Sequence, residues 1–193
     1  MVKLIGKKII YLAIFISGNG SNLKSLIKKF KNNSKIKISL VLSNNPKAKG
    51  LFYAKKNKIN YKTINYVNKK KAENIILNLL EKNKIEVVCL AGFMKILSKY
   101  FIKKFNKPIL NIHPSLLPKY KGLNTHSRVI ANKEKFSGCT VHLVTPVLDS
   151  GKIIAQKRIK IRKNDNVLKL SKRILKQEHI IYYKAIRKFV SIL

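Results

Sequence analysis

Short apolar runs alternate with segments of helical periodicity along the chain, and this alternation constrains the fold more than any other feature. The runs at 9–16 and 86–91 are apolar nearly throughout, as strands buried on both faces of a parallel sheet must be. Alternation of strands and helices implies right-handed crossovers between parallel strands. We therefore predict an α/β fold built on a doubly wound, mostly parallel twisted sheet with helices on both faces.

The same patterns place the individual elements. Strands are predicted at 9–16, 36–43, 86–91, 109–113, 138–145 and 153–161, and helices at 22–32, 46–57, 69–83, 124–133 and 166–190. One face of the third helix is predicted to carry Ile75, Leu79 and Leu80. No repeat and no break in composition divides the 193 residues, so we predict a single domain over 1–193.

The stretch SGNGSNL, residues 17–23, follows the first predicted strand and opens the first helix. Gly18 and Gly20 permit close backbone approach, and the free N–H groups and dipole of a helix N-terminus favour an anion. The stretch lacks the third glycine of a dinucleotide-binding loop and the Gly-Lys-Ser/Thr of a Walker loop. A single phosphate is the ligand that this loop favours, and the alternative is a tight turn with a helix cap.

Ligands of such sheets bind beyond the carboxyl ends of the strands, so the loops at 17–22, 92–97 and 113–122 are predicted to share one edge. Asn111 and His113 end the strand at 109–113 two residues apart, so both side chains leave the same face. Their N–H groups could together hold a carbonyl oxygen as it becomes an oxyanion. The alternative is a structural histidine at a strand end.

With only seven acidic residues in the chain, few carboxylates can partner His113. Four are predicted on helix or strand-edge surfaces: Glu73, Glu81, Glu86 and Glu134. Asp149 lies in the turn TPVLDSG, where spacing alone favours an ordinary turn residue. Glu178 is different, because it falls within the apolar stripe of the last helix. A carboxylate there needs a partner such as the hydroxyl groups of a ligand.

The chain carries 43 Lys and Arg residues against 7 Asp and Glu, a formal net charge of +36. Such a charge by itself indicates nucleic acid. However, only five of the 43 are Arg, and the lysines are spread over the whole chain, which favours a solvated lysine surface. Either interpretation leaves a general attraction for anionic small molecules.

Two cysteines in apolar runs, Cys89 and Cys139, are predicted to be reduced core residues, which is consistent with a cytoplasmic location. The lysines and short apolar run at the start imitate a signal peptide. That run is too short to span a bilayer and has no small-residue cleavage site after it, so we predict a buried first strand and no membrane association.

Six motifs occur in an order and spacing that resemble the phosphoribosylglycinamide formyltransferase family, the folate-dependent formyltransferases of purine synthesis. They are SGNGSNL, LAGFMKIL, LNIHPSLLPKYKG, THSRVI, GCTVHLVTPVLDSG and QEHIIY. The resemblance runs from about residue 9 to 185. It implies a Rossmann-like formyltransferase fold, with a phosphate-binding half at about 9–105 and a folate-binding and catalytic half at about 106–190.

The resemblance also implies an activity, the transfer of a formyl group from 10-formyltetrahydrofolate to the amine of glycinamide ribonucleotide without a metal. Catalytic positions would be Asn111, His113 and Asp149, with Asp149 raising the pKa of the His113 imidazole. Substrate phosphate would bind Gly20, Ser21 and Asn22, and the ribose would meet Glu178. Folate would lie against Lys69, Met94, Lys95, Ile96, Leu97, Asn111, Thr145, Pro146, Val147 and Leu148.

Two alternatives stay open at this point. Methionyl-tRNA formyltransferases share the Asn-x-His core, but they usually add a C-terminal domain of about 100 residues and lack the SGNGSN loop. A basic nucleic-acid-binding module would leave Asn111, His113 and Glu178 unexplained. We therefore expect small-molecule substrates, no specific nucleic acid, and a monomer or homodimer.

Overall fold

The computed structural model describes residues 9–192, and within them seven strands and six helices follow one another along the chain. The predicted domain of 1–193 extends beyond these residues at both ends. The elements are β1 Ile10–Ile16, α1 Ser21–Phe30, β2 Ile36–Ser43, α2 Leu51–Lys56, β3 Asn60–Thr63, α3 Lys69–Lys82, β4 Val87–Leu90, α4 Lys99–Phe105, β5 Ile109–His113, α5 Thr125–Ala131, β6 Phe136–Leu143, β7 Ile153–Lys160 and α6 Val167–Val190.

The strands form one sheet in the order β3-β2-β1-β4-β5-β6-β7. Strands β1 to β5 pair in parallel, whereas β6 runs antiparallel to β5 and β7 runs antiparallel to β6. The chain order reverses direction across the sheet between β1 and β4. The predicted doubly wound, mostly parallel sheet is therefore confirmed.

Apolar cores cover both faces of the sheet. On one face α1 and α6 pack against the strands, and α1 buries Leu23, Leu26, Ile27 and Phe30 at helical spacing. On the other face α3 and α4 cover the strands. Because both faces are buried, the central strands need apolar residues at nearly every position, which is why they read as continuous apolar runs. No helix among residues 9–192 is long and apolar enough to cross a membrane.

Tyr182 on α6 ties this helix to the carboxyl edge of the sheet. Its side chain is fully buried, and its hydroxyl group lies 2.9 Å from the carbonyl oxygen of Leu90 and 3.1 Å from that of Leu110. These carbonyls belong to neighbouring strands, β4 and β5. Burial raises the pKa of Tyr182 well above its ordinary value, so the hydroxyl keeps the proton that it donates.

Three local predictions were wrong or incomplete. The helix predicted at 46–57 is shorter, because residues 45–50 form a turn whose Gly50 N–H donates to the carbonyl of Gly18. The sequence reading missed β3, an edge strand whose four residues are all exposed and which therefore shows no apolar alternation. It also missed α4, a helix of two turns that Ser98 caps by accepting a hydrogen bond from the Phe101 N–H.

The buried face of α3 differs from the predicted one by one residue. Ile75 is 41% exposed, whereas Ile76 is buried together with Ala72 and Leu80. The prediction of a surface position for Glu73 was also wrong, since its carboxylate is buried against the backbone N–H and the hydroxyl group of Ser98. These two hydrogen bonds provide the partners that a buried carboxylate requires.

Replacing Tyr182 with Phe should lower the free energy of unfolding by about 1 to 3 kcal/mol, because two buried carbonyls lose their shared donor. Urea denaturation of the two proteins measures the difference. The matched control is Tyr183→Phe, because the contacts of Tyr183 with Phe30 and Lys29 are made by its ring. Equal losses in both variants would show that the Tyr182 hydroxyl does not anchor α6.

Candidate active site

A cleft of about 820 Å³ lies at the carboxyl edge of the parallel strands. Residues from the loops at 17–22, 92–97 and 113–122 all line it, as do parts of α5 and α6. The prediction that these three loops share one edge is confirmed. Nearly all of the predicted site residues line the cleft, and the exceptions are Lys69 and Val147.

The loop at 17–22 is shaped by Gly20, which adopts the left-handed conformation with φ 68° directly before α1. A Cβ atom at Gly20 would lie 2.4 Å from the Cα atom of Gly50, so the loop backbone packs where no side chain fits. No side chain caps the N-terminus of α1, and its first turn carries no acidic residue. The N–H groups of this turn are therefore available to an anion in the cleft.

Glu178 of α6 and Asn22 of α1 meet in the cleft, which both residues line. The Asn22 side-chain amide donates to Glu178 Oε2 over 2.8 Å, and both side chains are buried. The Asn22 Oδ1 atom is buried without a hydrogen-bond partner among residues 9–192. Burial raises the pKa of Glu178 above its usual value, and the hydrogen bond from Asn22 offsets only part of that effect. The predicted contact of Glu178 with a ribose stays a prediction.

Asn111 is fixed in orientation by His142, its direct partner in the antiparallel pair of β5 and β6. His142 Nδ1 lies 2.8 Å from the carbonyl oxygen of Leu143, which can only accept, so this nitrogen carries a proton. In the neutral imidazole the other ring nitrogen then accepts, and it lies 3.1 Å from Asn111 Nδ2. The Asn111 amide group therefore donates one N–H to His142, and its second N–H can donate to a ligand in the cleft.

Asp149 lies between the two histidines. Its Oδ2 is 3.4 Å from His113 Nδ1, and its Oδ1 is 3.5 Å from His142 Nε2. The backbone N–H of Gly122 donates to Oδ2 over 2.9 Å, which joins the two loops. Asp149 adopts a positive φ of 48°, an uncommon conformation outside glycine. The structure thus brings Asn111, His113 and Asp149 together, which spacing in the sequence could not show.

The ionisation of this group is set by burial and by neighbouring charges. Burial acts to raise the pKa of Asp149, but the contact with His142, the hydrogen bond from the Gly122 N–H and positive charge on the two histidines hold that pKa below its usual value. Burial lowers the pKa of His113, and this outweighs the Tyr120 carbonyl and Asp149, which act to raise it. The predicted contact of His113 with Asp149 is present, whereas the expected net rise in the pKa of His113 was wrong.

His113 uses both ring nitrogens in this conformation. Nε2 donates to the carbonyl oxygen of Tyr120 over 2.9 Å, while Nδ1 faces Asp149. Tyr120, whose carbonyl oxygen accepts this hydrogen bond, has a positive φ of 57°. An oxygen of a ligand can receive the Nε2 proton only where it replaces that carbonyl.

Most of the predicted folate-binding positions line the cleft. Met94 and Ile96 are more than 60% exposed although they are apolar, whereas Leu97 is buried. Thr145, Pro146 and Leu148 line the same cleft. Exposed apolar side chains within a concave site are typical of surfaces that bind a flat apolar ligand.

Sequence reasoning missed several residues of the cleft. From the sequence, Ser17 was only the first residue of the glycine loop, yet its hydroxyl group accepts a hydrogen bond from the Met94 N–H. Along α6 the cleft residues Val167, Ser171, Leu175 and Glu178 recur at helical spacing, a signal that could have been read before the structure. No group of three or more His, Cys, Asp and Glu residues within 9–192 could hold a metal ion.

Comparisons with known proteins agree with this geometry. The family model described as formyl transferase matches residues 10–186. The phosphoribosylglycinamide formyltransferase of Escherichia coli (strain K12) is 38% identical over 176 residues, which are 89% of this chain and 82% of that protein. The crystal structure of the phosphoribosylglycinamide formyltransferase from Brucella melitensis is 40% identical with a TM-score of 0.89, covering 95% of this chain and 96% of that one.

The chain therefore belongs to the formyl transferase family. Within that family, the relatives of similar length that it matches are phosphoribosylglycinamide formyltransferases. A longer relative is the human trifunctional purine biosynthetic protein adenosine-3, which is 41% identical over 189 residues. Those residues are 96% of this chain, and the chain spans only 19% of the length of the human protein.

Replacing Glu178 with Gln should stabilise the protein near neutral pH. A carboxyl group whose pKa is raised by folding destabilises the folded state as pH rises above the unfolded value, about 4.3, because the unfolded state ionises first. Gln keeps an oxygen that can accept from Asn22 but carries no charge. The melting temperature of Glu178→Gln should exceed that of the wild type at pH 8.

The difference in melting temperature should shrink as pH falls and disappear well below the unfolded pKa of about 4.3, where the wild-type carboxyl group is protonated in both states. Glu81→Gln, on the exposed surface of α3, is the control and should show no such trend. A Glu178→Gln protein that is less stable than the wild type at pH 8 would contradict the expectation.

Proposed function

We propose that this protein transfers a formyl group from 10-formyltetrahydrofolate to the amine of glycinamide ribonucleotide, as a phosphoribosylglycinamide formyltransferase of purine synthesis. The observation that carries the proposal is that Asn111, His113 and Asp149 lie together in the cleft that the loop at 17–22 also lines. That loop presents free backbone N–H groups to an anion. The names of the relatives that cover most of the chain support the choice of substrates.

In this proposal the ribonucleotide occupies the inner half of the cleft. Its phosphate binds the N–H groups at Gly20, Ser21 and Asn22, where no side chain caps the helix and the dipole of α1 favours negative charge. Its ribose hydroxyls meet Glu178, which Asn22 holds from the other side. The glycinamide amine then points towards the end of β5.

The folate occupies the outer half. Its flat ring system lies against the exposed apolar side chains of Met94 and Ile96 and against the turn at 145–148. Lys95 lines this part of the cleft, and a cation there suits the anionic glutamate end of a folate. Lys69 lies outside the cleft at the start of α3, so its contact with folate is a prediction that concerns the far end of that ligand.

The chemical step is the attack of the neutral amine on the formyl carbon. The carbonyl oxygen gains negative charge, and the free N–H of Asn111, oriented by His142, donates to it. His113 becomes the second donor when the formyl oxygen replaces the Tyr120 carbonyl at Nε2. The C–N bond to the folate then breaks. The proton lost by the amine is passed to the departing folate nitrogen, with Asp149 stabilising the charged imidazole that assists this transfer.

The strong positive charge fits anionic substrates in general. With 43 basic against 7 acidic residues, both proposed substrates are attracted to the protein over its whole surface. We propose no metal and no specific nucleic acid. A cytoplasmic location and a monomeric or homodimeric state stay predictions.

The activity is tested by mixing the protein with both substrates and following the release of tetrahydrofolate. Asp149→Asn should reduce kcat about a hundredfold or more, because the variant keeps the shape but removes the charge that stabilises the imidazolium. Asp165→Asn is the matched control, since Asp165 pairs with Arg173 outside the cleft and should keep near-native activity. Near-native turnover by Asp149→Asn would remove Asp149 from the mechanism.

Nucleic acid provides a second test. Binding of tRNA should be weak and should fall steeply as salt rises, as expected for release of counterions from a lysine surface. Fluorescence anisotropy with labelled initiator tRNA at two salt concentrations measures this. Tight, selective binding at physiological salt, together with formylation of the charged tRNA, would favour the methionyl-tRNA formyltransferase alternative.

A further inference from the structure

Ser17 joins the loop at 17–22 to the segment at 92–94. It follows the last residue of β1, and its hydroxyl group accepts a hydrogen bond of 2.7 Å from the Met94 backbone N–H. The Ser17 backbone N–H donates to the carbonyl oxygen of Gly92 over 3.0 Å. One residue therefore holds this segment at both Gly92 and Met94, and Met94 is one of the proposed folate contacts.

The same residue is held from its other side by the turn after β2. The Ser17 hydroxyl proton is donated to the Asn44 side-chain oxygen, and the Asn45 amide donates to the Ser17 carbonyl oxygen over 3.2 Å. Because Asn44 takes the proton, the oxygen of the hydroxyl group is left to accept from Met94. The hydroxyl group is thus oriented by its surroundings and cannot rotate without losing a partner.

These contacts connect two sites that the ligands would occupy separately. Gly18, the next residue, accepts a hydrogen bond from the Gly50 N–H over 3.0 Å, and the same loop continues to the N-terminus of α1. A phosphate bound at this loop would restrain Gly18 and the start of α1, and the hydrogen bonds of Ser17 would carry that restraint to Met94. Met94 is 63% exposed and lines the cleft, and its backbone N–H is held by the Ser17 hydroxyl group.

We propose that Ser17 is a positioning residue that couples the two substrate sites, so that binding at the phosphate loop strengthens binding of the folate. This inference rests on the proposed function and adds to it the link between its two ligands. Coupling between two sites is reciprocal, and each ligand must change the affinity of the other by the same factor. A hydroxyl group that only stabilised the fold would leave the two affinities independent of each other.

The test measures the affinity of each ligand in the absence and presence of the other by isothermal titration calorimetry. The probes are glycinamide ribonucleotide and tetrahydrofolate, which cannot react together. In the wild type each ligand should tighten the binding of the other. Ser17→Ala should weaken binding of tetrahydrofolate about three- to tenfold, the effect of one lost hydrogen bond, and should bring the coupling factor close to one.

Two further variants make the result specific. Ser17→Thr keeps the hydroxyl oxygen and should recover most of the coupling. Ser39→Ala is the matched control, because the Ser39 hydroxyl group on β2 is buried without a hydrogen-bond partner among residues 9–192 and lies outside the cleft. It should bind both ligands as the wild type does.

Three results would overturn the inference. If wild-type protein binds both ligands independently, or if Ser17→Ala keeps the wild-type coupling factor, Ser17 does not link the sites, although the proposed function stands. If the wild type binds neither ligand, the proposed function fails and the inference fails with it.

Discussion

The position of the site depends on one constraint, the parallel pairing of the first five strands. A parallel strand can be followed by another only after the chain returns to the opposite edge, so every loop that leaves a strand end appears on the same side of the sheet. The glycine loop, the segment at 92–97 and the end of β5 are therefore neighbours although they lie far apart in the chain. Tyr182 strengthens this edge, because its hydroxyl group bridges β4 and β5 through the carbonyl oxygens of Leu90 and Leu110, and Leu90 lines the cleft.

Acidic residues are scarce in this chain, and three of the seven are buried where the structure needs a carboxylate. Asp149 faces two histidines, Glu178 accepts from the Asn22 amide, and Glu73 accepts from Ser98, which directly follows the segment at 92–97. Each one has hydrogen-bond donors within reach, as a buried carboxylate requires. The surface lysines, in contrast, are spread widely and set only the general attraction for anions.

Much of the fold could be predicted from periodicity. β2 was predicted at its observed bounds, and the predicted helix at 166–190 differs from α6 by one residue. The failures share a cause, which is the lack of a periodic apolar pattern. β3 has no buried face, and α2 and α4 are too short to show a helical period. On α3 the periodic pattern permitted two neighbouring faces, and packing against the sheet selected the one with Ile76.

The sequence by itself determined the α/β class, the glycine loop and the placement of Asn111 and His113 on one face at the end of a strand. Each of these follows from residues close together in the chain. Only the tertiary structure decided how those residues are held. His142 lies opposite Asn111 because β5 and β6 pair in one register, and Asp149 reaches His113 because a turn with positive φ and the Gly122 N–H place it there. Burial then lowered the pKa of His113, whereas a nearby carboxylate by itself had predicted a raised pKa. Registers, turns and desolvation depend on packing between distant segments, which local patterns do not contain.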